Sequence, residues 1–331
     1  MITLIINGKL DVSDFVKSAS LSGDSTHFYE TLSVSMHATK DGNTRAFTLA
    51  EGDKVTFKWD GVSRFTGVLF SQERSSDGSL SITCYDPNVY LAKSTITKLF
   101  TNRTAANLAK QIAGEVGVPY GMVADTGYVI PYLLMRQKTI QDVILTALTL
   151  TKNQTGKRYF VSNVNGKFTL VEGAKPTKRY VFRSDTNLID ASYSRSIEDT
   201  FTQIKVIGGP KGKESAVTVK DDAKRKQYGV LQYIEVLDEK ATASQVKQRA
   251  NTLLKEKSKI SEQMRATVPG ILTFRVGEAV TVVDSITNIN GNFYVTTIEH
   301  TFEGTLHTMN LELSWSYDLP AIDVDEEATK K

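Results

Sequence analysis

The sequence predicts a mainly β protein with an α+β insert. Short strands joined by Asp-Gly and Asn-Gly turns fill both ends of the chain, and the hydrophobic period becomes helical only between residues 95 and 155 and again after Thr242. The two β regions also resemble each other, which points to a repeated unit.

The elements follow in order. Ile2 to Ile6 is a β-rich run ending in Asn7-Gly8, a hairpin dipeptide that tolerates positive φ. Thr31 to Met36 alternates apolar and polar residues, as a half-buried strand does. Then come GDKVTFKW, a turn at Asp60-Gly61, RFTGVLFSQE, a turn at Asp77-Gly78, and SLSITCY: a three-stranded meander closing a first β domain, residues 1–94.

Residues 95–157 form a small helical/mixed domain. Thr104-x-x-Asn107 opens a helix with Leu108, Ile112 and Val116 on one face, ended by Gly117 and Pro119. Thr139-x-x-Asp142 starts a second, with Ile140, Val143, Ile144, Ala147 and Leu148 as its apolar stripe. Residues 158–318 are a second β-rich domain. It opens with RYFVSN, a turn at Asn165-Gly166 and KFTLVE, and carries one helix at about 242–259, capped by Thr242 and striped by Val246, Ala250, Leu253 and Leu254. Strand follows to Tyr317, and 319–331 is expected to be a flexible acidic tail.

The repeat aligns Gly52-Asp53-Lys54-Val55-Thr56 with Gly277-Glu278-Ala279-Val280-Thr281, and Gly78-Ser79-Leu80 with Gly304-Thr305-Leu306. Between them the turns Asp60-Gly61 and Asn290-Gly291 correspond, as do the aromatic leaders Phe65 and Phe293-Tyr294. A chain with two equivalent strand platforms presents six when three copies surround an axis, so it fits a sixfold partner to a threefold one. The expected role is geometric rather than chemical.

Composition removes other classes. The 331 residues are 40% hydrophobic and 23% charged, which excludes a wholly disordered chain and fits two or three domains. The longest apolar run, Val129 to Met135, is too short to span a bilayer, and the N-terminus lacks a signal peptide's basic flank and cleavage site. Folding in the cytoplasm is expected, without stable membrane insertion. A net charge of +3 gives no basis for specific nucleic-acid binding. The single Cys84 has no disulfide partner and reads as a small buried hydrophobe.

No catalytic, cofactor-binding or metal-ligating residue is assigned, and no cofactor. Gly212-Lys213 lacks the glycine and the Ser/Thr of a phosphate loop. His300 and His307 fall on successive strands with Glu299 and Glu303 nearby, but two imidazoles without a carboxylate pattern make a poor metal site, and they read as surface strand residues. Glu51/Asp53 and Asp221/Asp222 sit in predicted turns, not across a cleft. Trp59 and Trp315 fall in predicted strands, where packing accounts for them.

Seven segments in order, GDKVTFKWDG…RFTGVLF, TCYDPNVYLAKS, TAANLAKQIAGEVGVPYG, KTIQDVILTAL, GKFTLVEG, DTFTQIKVIGG and QYGVLQYIEV, resemble the XkdQ/YqbQ-type proteins. These are baseplate hub proteins of contractile phage tails and phage-tail-like bacteriocins of Gram-positive bacteria, related to the hub of the large contractile-tailed phages. The resemblance covers roughly residues 45 to 260 and rests on order and spacing. It implies two tube-protein-like β-barrel domains flanking the helical domain, and a non-enzymatic homotrimer. Its partners would be the hexameric tail tube protein, the trimeric spike and other baseplate proteins, with the tape measure protein a further neighbour. It would reside in the baseplate of a virion or phage-tail-like particle, assembled in the bacterial host cytoplasm. The polar segment at residues 20 to 30 and the basic stretch 205–226 are the candidates for reaching neighbouring subunits. The alternative is a tail-associated glycan- or cell-wall-binding module, which calls for clustered exposed Trp and Tyr.

Overall fold

The computed structural model describes residues 1–42, 44–173, 180–317, 320, 322 and 326–329. Most of the acidic tail expected at 319–331 lies outside them. The chain is mainly β, 49% strand and 19% helix. Among the described residues no helix is long and apolar enough to cross a membrane.

The first β region comprises β1 (Ile2–Ile6), β2 (Leu10–Asp11), β3 (Val16–Asp24), β4 (Thr31–His37), β5 (Lys54–Trp59), β6 (Val62–Arg74) and β7 (Ser79–Tyr85). Alternation drives it: β4 buries Leu32, Val34 and Met36, and β7 buries Leu80, Ile82 and Cys84. The β5–β6 turn takes φ of 48° at Asp60 and 78° at Gly61, the left-handed pair that matches strand twist.

The helical insert follows: α1 (Val89–Lys93), β8 (Thr95–Thr104), α2 (Ala105–Glu115), β9 (Tyr120–Val123), β10 (Val129–Thr139), α3 (Ile140–Thr155), β11 (Tyr159–Val164) and β12 (Lys167–Glu172). The Thr104 and Thr139 hydroxyls cap α2 and α3, accepting from Asn107 N at 3.2 Å and Asp142 N at 3.0 Å. Leu108, Ile112, Ile140, Val143, Ile144 and Leu148 form one core, joined by Tyr159, Val161, Phe168 and Leu170 from the β11–β12 hairpin. Helix stripe and strand face thus bury each other.

After β13 (Val181–Arg183) and β14 (Asp190–Ser196) the chain divides into two compact units, 193–264 and the remainder. The smaller holds β15 (Gln203–Gly208), β16 (Ser215–Lys220), α4 (Asp222–Tyr228), β17 (Gln232–Val236) and α5 (Ala243–Lys257). Its sheet has the order β16-β15-β17, and Ile204 and Val206 pack on Val246, Ala250 and Leu253 of α5. Thr242 and Gln245 form the reciprocal capping box that starts α5.

The chain returns through β18 (Ser261–Pro269), β19 (Ala279–Asp284), β20 (Ile289–Glu303) and β21 (Leu306–Ser314). Both meanders exist, β5-β6-β7 and β19-β20-β21, each antiparallel throughout. Asn290-Gly291 is not the corresponding turn: it lies inside β20, and the turn is 285–288, with φ of 60° at Asn288.

The two separate barrels expected from the resemblance are corrected. One 13-stranded sheet runs β14-β18-β21-β20-β3-β4-β7-β6-β5-β1-β2, with β19 and β13 branching from β20, and among the described residues there is no closed barrel. The reason is the length of β20. Its first half pairs with β19, and its second half, Thr297–Glu303, takes β21 on one side and β3 on the other. That β3–β20 ladder fuses the meanders across a shared seam.

Candidate functional site

The seam is the most chemically distinctive place in the larger unit. On β20 the period of two puts Ile298, His300 and Phe302 inward and Glu299 on the opposite face. Phe302 meets Phe57 at 4.9 Å and Trp59 at 5.1 Å between ring centroids, so the second meander packs directly on the first. His307, opposite Phe302 on β21, stacks on it at 4.3 Å.

His300 is fully buried, and its Nδ1 lies 3.0 Å from Nε2 of His307 while its Nε2 lies 3.2 Å from the Phe274 carbonyl. With His300 Nε2–H donating to that carbonyl, its Nδ1 accepts from His307 Nε2–H, and both rings are neutral. Burial and the nearby Arg64 hold His300 down to about 2 and His307 to about 4. Of the expected surface histidines, His300 is therefore a core residue and His307 is half-buried, because this face of β20 and β21 meets the seam. Glu299 points away, and among the described residues no group of three His, Cys, Asp or Glu could hold a metal ion.

The segment 270–276 plugs the seam. Gly270 N donates to the His307 carbonyl at 2.8 Å, and a Cβ on Gly270 would stand 2.1 Å from the His307 ring, so only glycine fits. Phe274 is fully buried behind it. Arg275 then reaches into a buried charge cluster, its Nε 3.7 Å from Glu30 Oε1.

That cluster centres on Glu30. Arg64 Nη1 and Nη2 donate to its two carboxylate oxygens, both at 2.8 Å. Burial works against the Glu30 charge, but Arg64, with Arg275, brings the carboxyl below its usual range. Asp86 stands close by: burial and the Glu30 charge push it well above the carboxylate range, although it accepts Glu30 N and Asn88 N, both at 2.7 Å. Burial lowers Arg275 to about 10. Asn88 Nδ2 donates to the Phe28 carbonyl at 2.7 Å, tying the cluster to the insert.

The segment at 20–30 thus does not reach outward as expected. Its first half is strand β3, Phe28 is buried in the insert's core, and Glu30 anchors the cluster; only Thr26 and His27 are exposed. The basic stretch 205–226 forms β15, an exposed turn holding Lys211 and Lys213, β16 and α4 of the smaller unit. Asp221 caps α4, accepting from Lys224 N at 3.0 Å. Asp53 caps its own turn, accepting from Ala50 N at 2.8 Å. Cys84 is buried, and burial pushes its thiol up to about 12, far from a nucleophile's range. Trp59 is core, but Trp315 lies past the end of β21, 59% exposed, with its ring on Phe293 at 4.4 Å. Sequence reasoning missed the charge cluster. Arg64 and Glu30 carry no local signal, since only the tertiary pairing makes their burial tolerable.

Residues 19–314 match the family model described as YQBQ-like. The phage-like element PBSX protein XkdQ of Bacillus subtilis (strain 168) is 31% identical over 284 residues, spanning 85% of this chain and 87% of that protein. Among solved structures, the prophage MuSo2 43 kDa tail protein from Shewanella oneidensis aligns with a TM-score of 0.66 at 16% identity, over 94% of this chain and 97% of that one. The E. coli c3393 protein, a type VI secretion component described as structurally similar to T4 bacteriophage tail proteins gp27 and gp5, aligns with a TM-score of 0.55 at 10% identity, over 99% of this chain and 78% of that one. The last two likenesses are of fold.

Proposed function

The chain belongs to the YQBQ-like family, and from that premise we propose that it is a non-enzymatic hub of a tail baseplate. Three copies surround an axis, meet a hexameric tail tube on one side and hold a trimeric spike on the other. The observation that carries this reading is the repeated meander. β6 and β20 are joined through β3, β4 and β7 by four antiparallel steps, so they run in the same direction, and the two meanders are alike in orientation as well as in order. Three such chains offer six like-oriented platforms, which is what a sixfold ring needs from a threefold one.

The chemistry of the seam supports a structural role. Its histidines are neutral and bonded to each other and to Phe274, and its carboxylates are held by Arg64 and backbone amides. These groups hold strands together. The protein would act in the baseplate of a phage or phage-tail-like particle, beside other baseplate proteins. Electron microscopy of the chain co-expressed with the tail-tube protein of the same particle tests the reading. Six-lobed rings built from three chains are expected; a complex with six copies of this chain, or none, contradicts it.

A further inference from the structure

Resting on that hub reading, we propose that the hairpin tips β5–β6 and β19–β20 are the surface that meets the sixfold tube, through the exposed aliphatic side chains Val62 and Ile286. The opposite tips, β6–β7 and β20–β21, meet the threefold spike. The argument begins with direction. Because β6 and β20 run the same way, the turns that precede them lie at one end of the sheet, and the turns that follow them at the other.

At the first end the repeat is chemically kept. Val62 and Ile286 follow the aligned Gly52 and Gly277 by 10 and 9 residues, and are 55% and 93% exposed. One exposed aliphatic is ordinary on a protein surface. The same exposure at both equivalent tips gives three chains six similar apolar knobs, fit for six identical sockets. At the other end the repeat is broken. The β6–β7 turn holds Ser75, Ser76, Asp77 and Gly78, and Leu80 just beyond it is buried, whereas its counterpart Leu306, the first residue of β21, is 69% exposed. Three chains then offer three apolar knobs alternating with three polar turns, a pattern a threefold partner can read and a sixfold one cannot. The partner on each side is thus identified by the symmetry of the apolar contacts offered to it.

The test is co-purification of the tagged chain with the tail-tube and spike proteins of the same particle. A buried Glu without a partner costs more than a tenfold loss of affinity represents. Val62→Glu with Ile286→Glu should therefore lower recovery of the tube protein by about tenfold or more, each single change less, with spike recovery unchanged. Leu306→Glu should lower spike recovery and leave the tube protein. All three positions are exposed, so the thermal midpoint and the mass of the isolated protein should match the parent. If the double variant recovers tube protein like the parent, or Leu306→Glu removes tube rather than spike, the tip assignment is overturned while the hub reading stands. If the parent chain recovers neither protein, the hub reading itself fails and takes the assignment with it.

Discussion

The two meanders share strand order, direction and turn positions, yet their interiors differ. β5–β7 bury Phe57, Trp59, Phe65 and Cys84, while β19–β21 bury Phe293, Phe302 and His300, with His307 half-buried against it. The side that differs is the side that meets the other copy. Phe302 fills the space between Phe57 and Trp59, and His307 stacks behind it, 5.8 Å from Trp59. Two identical faces could not interlock this way, since each large ring needs a matching hollow. The two meanders thus differ inside, where they pack on each other, and stay alike at the exposed aliphatics of the β5–β6 and β19–β20 tips.

Breaking the charged part of the seam should have the largest effect. Arg64→Met leaves Glu30 buried beside Arg275 alone, and loss of one partner of a buried pair costs about 3–5 kcal/mol. The urea midpoint reads this, and the matched variant Phe65→Leu in the first meander should cost less, about 1 kcal/mol. Equal losses would mean the seam is no more demanding than the meander core.

A smaller loss is expected from Gly270→Ala. Its Cβ must displace the His307 ring, an overpacking that costs about 1–3 kcal/mol. The comparison is Gly61→Ala in the β5–β6 turn of the first meander, where nothing stands within 4 Å and only the left-handed φ of 78° resists. If His307 anchors the plug, Gly270→Ala should also loosen protection of the Phe274 amide in hydrogen exchange, and Gly61→Ala should not.

The gentlest probe is pH. His300 and His307 are neutral in the fold and held below their ordinary value of 6.5, so the unfolded chain takes up protons first as pH falls. Their contribution is fully present above about pH 6.5 and is lost as pH falls toward 4, by up to about 1.4 kcal/mol per pH unit for each histidine. Asp86, raised in the fold, works in the opposite direction, and Arg275, lowered only to about 10, stays charged throughout. Replacing His307 by Gln should flatten the decline between pH 6.5 and 5 in urea titrations; an unchanged slope would show that the pair is not buried neutral.

Much of this fold was legible in the sequence. Alternation located β4, β5, β6 and β7, threonine caps located α2, α3 and α5, and the Gly52/Gly277 alignment found both meanders. The separate barrels were expected from the resemblance, and the sequence could not correct them: strand period and turns say which residues pair with near neighbours, but not that β3 would pair with β20, some 280 residues away. The seam was hidden for the same reason. His300 and His307 alternate as surface residues of a two-layer hairpin would, and only the tertiary neighbours Phe274, on His300, and Trp59, beside His307, cover that face. Glu30 lay in a stretch whose polarity resembles a loop, and its partner Arg64 is 34 residues on.

The account rests on three chains making six platforms from one repeated meander, and solution mass tests that most directly. Light scattering on the purified protein, alone and co-expressed with the spike, should give a hub mass of three times 36.6 kDa in at least one sample. A mass of one chain in both would contradict it, because two meanders around no axis cannot match a sixfold tube.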